Sequence, residues 1–394
     1  MKIVLVTVWF SEKMGYIENC LPKALTFLGH EVHVISSTAQ VNYNDPIYNE
    51  TFSKFLGPAI VSECKKEFNG YTLYRLPFKV VQRKIIIKGL NELIHEIKPD
   101  IVQTFDPIAF VNLQLVHAKF YTKFKLFTAN HTTFSVFPLL TEKYGLVKRF
   151  GFWLTRTFPS MIQNKFVERS YPATIDCEAL SLKYYGLPKE KSLVLPLGVD
   201  TILFHPIINE QDTKERLQIR NEFGYSDNDI VCIYTGKFTK GKNPLCLAKA
   251  IEMLNNKNES FKGLFFGDGE QIDEIKKIKN CKVFSYVPFF ELDKFYRASD
   301  IGVWPTQEST SMLDAAACGL PIVISNTVKA KERVDGNGLT YLENNATDLC
   351  DALLKLKDKK LREKLGNNGI IKIRDNYSWI KMANLRVDDY MKFI

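Results

Sequence analysis

Short apolar runs recur along the chain, each followed by a polar or glycine-bearing turn and then by apolar residues at helical spacing. Met1 to Val8 is the first such run and reads as a strand buried on both faces. A loop from Trp9 to Tyr16 leads to a helical pattern ending at Leu28, and Gly29-His30-Glu31 turns the chain into a second strand at Val32 to Ser36. That is one strand-helix-strand unit. Val41 to Glu67 has no clear period and reads as an insertion with short helices. Strands are expected at Thr72–Arg75, Ile101–Thr104, Lys125–Ala129, Ala173–Ala179 and Ser192–Pro196, with a helix over Ile85–Ile97 stopped by Pro99.

The second half repeats the alternation. Strands are expected at Ile230–Thr235, Gly263–Phe266, Lys282–Tyr286, Ile301–Trp304 and Pro321–Ser325. Helices are expected at Leu245–Leu254 and Leu292–Ala298, with helical spacing again over Leu349–Leu365 and Ser378–Phe393. Alternating strands and helices predict an α/β fold with parallel sheets. A chain of 394 residues exceeds one ordinary core, so two such domains are expected. The boundary falls at Pro196-Leu197-Gly198-Val199-Asp200-Thr201, and Pro206 to Glu215 reads as a polar linker.

Composition narrows the class. Apolar residues make up 45% and charged residues 25%, as in soluble globular proteins. No segment reaches the roughly eighteen uninterrupted apolar residues of a membrane span, and Met1–Phe10 lacks a signal peptide's charged head and cleavage site. A cytoplasmic protein is expected. The eight cysteines are scattered without metal-ligand spacing and read as reduced core residues. The net charge of +9 suits an anionic partner. Nucleic acid is not expected, because the chain carries no RNP-like aromatic motif, zinc finger or clear helix-turn-helix signal. One basic segment, Glu142 to Arg169, interleaves Lys148, Arg149, Arg156 and Lys165 with Phe150, Trp153, Leu154 and Phe158. It reads equally as a helix on an anionic membrane surface, giving a peripheral contact on the membrane's inner face, or as a helical cap interrupted at Pro159.

The chemistry gathers where strands end. After the strand to Thr235, Gly236-Lys237-Phe238-Thr239-Lys240-Gly241-Lys242 leads into a helix, so backbone N–H groups and the point charges of Lys237 and Lys242 can cradle a diphosphate. The spacing is not that of a Walker motif. After the strand to Trp304 come Thr306, Glu308, Ser309, Thr310, Ser311 and Met312 at a helix start, a place where anions bind. Asp314, one turn on, offers a carboxylate to hydroxyls. Phosphate beside polyol is the chemistry of a nucleotide sugar. Gly267 marks a tight turn after a third strand, Val287 follows a fourth, and Gly15 sits where the first loop enters its helix. In the first half, Asn130-His131-Thr132-Thr133 follows a strand, at the sheet edge where ligands of open α/β sheets bind, which singles out His131 among the six histidines.

These motifs occur in the order seen in the retaining glycosyltransferase family 4, which they resemble over nearly the whole chain. Ala315-Ala316-Ala317-Cys318-Gly319-Leu320-Pro321 is similar to that family's Ala-x-Ala-Cys-Gly-x-Pro, the Pro196–Pro206 segment to its interdomain PNGVD motif, and Gly236 to Lys242 to its Gly-Arg-x-x-x-x-Lys loop, with Lys237 for arginine. The resemblance implies a GT-B fold of two Rossmann-like domains facing across a cleft. Residues 1–198, with a returning C-terminal helix at 378–394, would form the acceptor side, and residues 199–377 would bind the donor. It implies a retaining transferase without cofactor or metal, in keeping with the lack of an Asp-x-Asp at a strand end, that moves a sugar from a UDP- or GDP-linked donor to a glycan or lipid-linked acceptor. Lys237 and Lys242, with backbone N–H groups around Ser309–Met312, would take the leaving diphosphate. Gly15, Gly236 and Gly267 would bring backbone close to the donor, Val287 would touch the base, Asp314 the ribose and His131 the transferred sugar. One departure stands out: the first acid of the family's Glu-x7-Glu pattern falls on Thr306, with Glu308 two residues on as its substitute. The alternatives are a catalytically silent partner subunit, or an epimerase or hydrolase that acts on the donor itself.

Overall fold

The structure, a computed structural model, describes residues 1–134, 137, 144–306, 308–328 and 330–394. It divides into two compact units, Met1–Leu197 with Trp379–Ile394, and Gly198–Ser378. Glu142 and Lys143, at the start of the basic segment, lie outside the described residues.

The first unit is built on seven strands: β1 Lys2–Thr7, β2 Glu31–Ser37, β3 Cys64–Phe68, β4 Tyr71–Leu76, then, after a small hairpin of β5 Phe78–Val81 and β6 Lys84–Ile87, β7 Ile101–Thr104, β8 Lys125–Asn130 and β9 Val167–Pro172. Their order is β3-β4-β2-β1-β7-β8-β9. All pairings are parallel except β3 on β4. From Ile3 to Thr7 every residue of β1 is buried, as a strand covered on both faces requires. The antiparallel edge strand β3 instead carries Lys65, Lys66 and Glu67 outward, a charged edge that discourages further pairing. The helix Trp379–Tyr390 belongs to this unit: Tyr390 Oη donates to Gln103 Oε1 at 2.5 Å and Tyr171 Oη to Asp389 Oδ2 at 3.0 Å.

The second unit holds six parallel strands: β10 Ile230–Thr235, β11 Phe261–Phe266, β12 Cys281–Phe284, β13 Ile301–Trp304, β14 Ile322–Ser325 and β15 Gly338–Tyr341. The order is β12-β11-β10-β13-β14-β15. Its core gathers Ile233, Leu247, Leu264, Trp304 and Val323 around the sheet.

Five expectations are corrected or refined. Ala173–Ala179 is not a strand: Thr174 accepts from the Cys177 N–H at 3.1 Å and caps a helix, Ile175–Tyr184, while the strand lies earlier at β9. Ser192–Pro196 runs beside β9 without forming a full strand: Ser192 makes an isolated bridge to Ser170, and the Leu193 and Leu195 N–H groups donate to Ser170 O and Pro172 O at 3.0 and 2.9 Å. The helix expected over Ile85–Ile97 begins at Leu90, because Ile85–Ile87 pairs in β6 and Gly89, at φ 76°, breaks the run. The linker from Pro206 becomes a helix at Glu210–Glu222, capped by Asn209 and pinned by Arg216 and Arg220 to Asp300 at 2.7 and 3.1 Å. The run Leu349–Leu365 spans two helices, Ala346–Lys355 and Lys359–Asn376, the second capped by Asp358. Among the described residues no helix is long and apolar enough to cross a membrane.

Candidate functional site

In each sheet the chain works outward in one direction and then returns to build the other side, leaving one point where the loops above neighbouring strands diverge. Ligands of open α/β sheets bind at such points, above the strands' C-terminal ends. In the second unit it lies between β10 and β13, and the two loops that leave these strands, Gly236–Asn243 and Pro305–Thr310, carry most of the expected donor residues. They are tied together. Trp304 Nε1 donates to Thr235 O at 3.1 Å across the two strand ends, and the Thr306 hydroxyl donates to Gly241 O. Lys242 Nζ donates to Glu308 O at 3.0 Å. Tyr341 Oη holds the second loop from below through Pro305 O at 2.7 Å.

A third loop braces the first. Gly267, at φ 151°, lies so close to the Gly236 carbonyl that a Cβ there would sit 1.8 Å from its oxygen. Phe238 N–H donates to Asp268 O at 2.8 Å and Gly236 N–H to Phe266 O at 3.0 Å. Gly236 and Gly267 thus let two loops pack backbone to backbone, which a side chain at 267 would prevent. Val287 is half-buried in the loop after β12.

The electrostatics converge on Lys242. Burial pushes its ammonium down to about 8, against the pull of Glu308 and with Arg333 and Lys237 adding to the fall. Arg333 had no sequence signal, since it arrives from a turn after β14, Lys331–Arg333, far along the chain. Its guanidinium donates to Ser309 O at 3.0 Å. Three cations therefore lie near one another where the two loops meet, an arrangement that a bound polyanion would relieve.

The helix after this loop, Ser311–Ala317, starts differently from the expectation of four open donors at Ser309–Met312. The Ser311 N–H donates to Ser309 Oγ and the Met312 N–H to Ser309 O, both at 3.3 Å, long bonds made within the turn. Ser309 Oγ donates in turn to Ser311 Oγ at 3.1 Å, and Thr310 occupies the N-cap position. Asp314 is 6% exposed. Burial, with Asp200 adding to it, holds its carboxyl well above the usual range, which favours the protonated form, one that can donate as well as accept.

In the first unit the same topology sets the point between β1 and β7, where a cavity of about 200 Å³ opens. The ends of both strands line it, together with His131 from the end of β8. Facing His131 are Glu18 and Asp106. Burial raises the carboxyl of each, while His131 draws each back down. Asp106 follows β7 as His131 follows β8, so the reasoning that selects His131 selects Asp106 as well. Glu18 lies in the first turn of the helix Ile17–Phe27, behind the half-buried Gly15. Asn130 fixes the loop that carries His131, donating to Cys177 O at 3.0 Å and accepting from the Thr132 N–H at 2.9 Å. Among the described residues no group of three or more His, Cys, Asp or Glu side chains could hold a metal ion.

Residues 229–359, which contain the cation cluster and both of its loops, match the family model described as Glycosyl transferases group 1. Over these residues the second unit is similar to the glycosyl transferases of group 1. An Escherichia coli UDP-Gal:alpha-D-GlcNAc-diphosphoundecaprenol alpha-1,3-galactosyltransferase is 26% identical over 226 residues, 52% of this chain and 55% of that protein. The E. coli O-antigen biosynthesis glycosyltransferase WclY is 24% identical over 269 residues, 66% of this chain and 70% of that protein. The chain spans about half the length of the first of these curated relatives. Among solved structures, HepE from Anabaena in complex with UDP-glucose superposes with a TM-score of 0.70 at 14% identity, covering 100% of both chains. WaaG, a glycosyltransferase involved in lipopolysaccharide biosynthesis, gives 0.65 at 16% identity over 97% of this chain and 99% of that one. At such identities these likenesses speak to the fold, which is GT-B.

Proposed function

We propose that the chain is a group 1 glycosyltransferase that moves a sugar from a nucleoside diphosphate donor to a lipid-linked or cell-envelope glycan acceptor, with retention at the anomeric carbon and without a metal ion. The observation that carries this reading is the set of three cations at the second unit's switch point, Lys237 and Lys242 on the loop after β10 and Arg333 bound to Ser309 O on the loop after β13. Breaking the bond between sugar and diphosphate puts negative charge on the leaving phosphate, and cations already in place there lower the barrier. In this reading they do what a divalent ion does for other sugar donors. Lys242, whose ammonium burial lowers to about 8, is held in its charged form when the phosphate arrives. Asp314 meets the ribose, Val287 lies beside the base, and Glu308 stands near the transferred sugar. The first unit's cavity, with Glu18, Asp106 and His131, offers acceptors and donors to a hydroxylated ligand. The acceptor class follows the diphosphoundecaprenol and O-antigen relatives, and implies work beside a membrane.

One observation favours a second reading. Thr306, where the resemblance expects an acid, spends its hydroxyl on Gly241 O. A protein that binds the nucleotide and transfers nothing, or that acts on the donor alone, fits this as well. Incubation of the purified chain with UDP-, GDP- and ADP-sugars and with undecaprenyl-diphosphate-linked glycans separates them. Sugar transfer to the lipid, followed by mass spectrometry and by anomeric NMR of the product, is expected. Nucleotide release without transfer to any acceptor would sink the transferase, and binding without turnover would establish the silent protein.

A further inference from the structure

The basic segment is a single run of helix with an irregular middle: α-helical over Leu146–Phe152, π-helical over Trp153–Thr157 and α-helical again over Phe158–Gln163. Pro159, expected to interrupt it, sits in the first turn of the last part, where its missing N–H is tolerated. A π turn takes in about one more residue than an α turn, which sets the following side chains back by roughly 100° around the axis. Because of that offset, Phe158 and Met161 return to the line of Leu146, Phe150 and Leu154. The result is one apolar stripe, on the order of 27 Å long at the ordinary helical rise, and it faces outward. Leu146 and Val147 are 85% and 86% exposed, and Phe150 is 62% exposed.

The other face of the helix is firmly seated. Ser160 Oγ donates to Pro107 O at 3.2 Å, Thr157 Oγ1 to Tyr184 O at 2.8 Å, and the Phe152 ring meets Phe137 edge-on at 5.6 Å. The apolar stripe is therefore not a helix waiting to turn over into its own core. Exposed apolar surface of this extent marks a place of interaction.

Charge selects the occupant. Between Tyr144 and Phe166 the sequence carries four cations, Lys148, Arg149, Arg156 and Lys165, and no acid. Lys148, Arg149 and Lys165 are exposed beside the stripe. A second copy of the chain docked on this face would bring like charges together, whereas anionic headgroups would neutralise them. We propose that this helix docks the protein on an anionic lipid bilayer, lying along the headgroup boundary with Leu146, Phe150, Trp153 and Phe158 in the acyl region. A stripe of aromatic and aliphatic residues flanked by cations binds membranes in this way. The choice of a bilayer rests on the reading of the acceptor as lipid-linked only as far as motive goes; the surface itself is independent of transferase chemistry.

The test uses lipid alone. The full chain is sedimented with vesicles of phosphatidylglycerol and phosphatidylcholine, and with phosphatidylcholine vesicles, at 0.1 M salt, roughly one Debye length of ~10 Å. Binding to the anionic vesicles is expected to be at least ~10-fold tighter. The double variant Phe150→Glu/Leu154→Glu should weaken it by at least ~10-fold, and Lys148→Glu/Arg149→Glu should abolish the preference for anionic lipid. Both changes lie on the exposed face, and unaltered UDP or GDP binding by the variants would show that the protein is folded. A wild type that does not sediment with anionic vesicles, or a Phe150→Glu/Leu154→Glu variant that sediments equally well, would overturn the proposal. So would a lipid-free dimer that the same variant dissociates, because a second copy would then own the surface. Loss of nucleotide binding by the wild type would count against the proposed function and leave the lipid result standing.

Discussion

Lys242 offers the sharpest test of the proposed donor site, because its environment would tie nucleotide affinity to pH. In the free protein the ammonium is pushed down to about 8 by burial, with Glu308 pulling it back up and the nearby charges of Arg333 and Lys237 adding to the fall. A diphosphate beside it restores the charged form, so above that pH binding must take up a proton. Linkage then sets the sign: affinity is nearly flat below pH ~7 and falls above pH ~8, approaching ~10-fold per unit once Lys242 is neutral in the free protein. Lys242→Met keeps the stem and removes the charge. At pH 7 it should lose roughly 10-fold in binding of UDP or GDP, the value of one hydrogen bond to a charged group at about 1.5 kcal/mol. Turnover should fall further, by at least ~100-fold, because the charge matters most as the phosphate leaves. Isothermal titration at pH 6.5, 7.5, 8.5 and 9.5 in two buffers of different ionisation enthalpy measures both affinity and proton uptake. A wild type whose affinity does not change over that range, or a Lys242→Met variant that keeps the wild-type slope, would refute the reasoning.

Three further outcomes are expected. Gly267→Ala should cost at least ~2 kcal/mol in urea unfolding, because its Cβ meets the Gly236 carbonyl at 1.8 Å, whereas Gly336→Ala, at φ 75° with open space around it, should cost about 1 kcal/mol. Burial raises the Asp314 carboxyl in the folded state, so the folded protein keeps a proton that the unfolded chain releases above pH ~4, and its contribution to stability falls as pH rises towards the raised folded value. Asp314→Asn should therefore gain on the wild type by up to ~1.4 kcal/mol per pH unit as pH rises above ~4 towards the raised folded value, checked by denaturation midpoints; a constant difference would show that the carboxyl is ionised. If Glu308 serves as the missing acid, Glu308→Gln should lower turnover by ~100-fold with little change in nucleotide affinity, and unchanged turnover would exclude it.

Much of this molecule is legible in its sequence where the information is local. The loops after β10 and β13 announce themselves because a strand, a turn rich in lysine, glycine or hydroxyls, and a helix start follow one another within a few residues. Turns that break the rules of composition were the harder part. The β5–β6 hairpin turns through Gln82 and Arg83 at φ 49° and 62°, conformations that usually call for glycine or asparagine, so its second strand reads as helix. Ala173–Ala179 reads as strand because its small and apolar residues hide the cap at Thr174. The candidate sites show the same division. His131 and Lys242 could be chosen from strand ends alone, and Asp106 could have been by the same argument. Arg333 could not, since only the packing of the turn after β14 brings it to Ser309. That difference bears on Thr306. Its neighbours in sequence suggest a lost acid, but its partner in space is the Gly241 carbonyl, in the loop that carries Lys242. A glutamate there would put a carboxylate against that carbonyl oxygen and push the lysine loop away. With threonine, the loop closes on itself and Lys242 reaches Glu308 O. The substitution therefore reads as part of how the cations are held, and any acidic function left at this loop falls to Glu308.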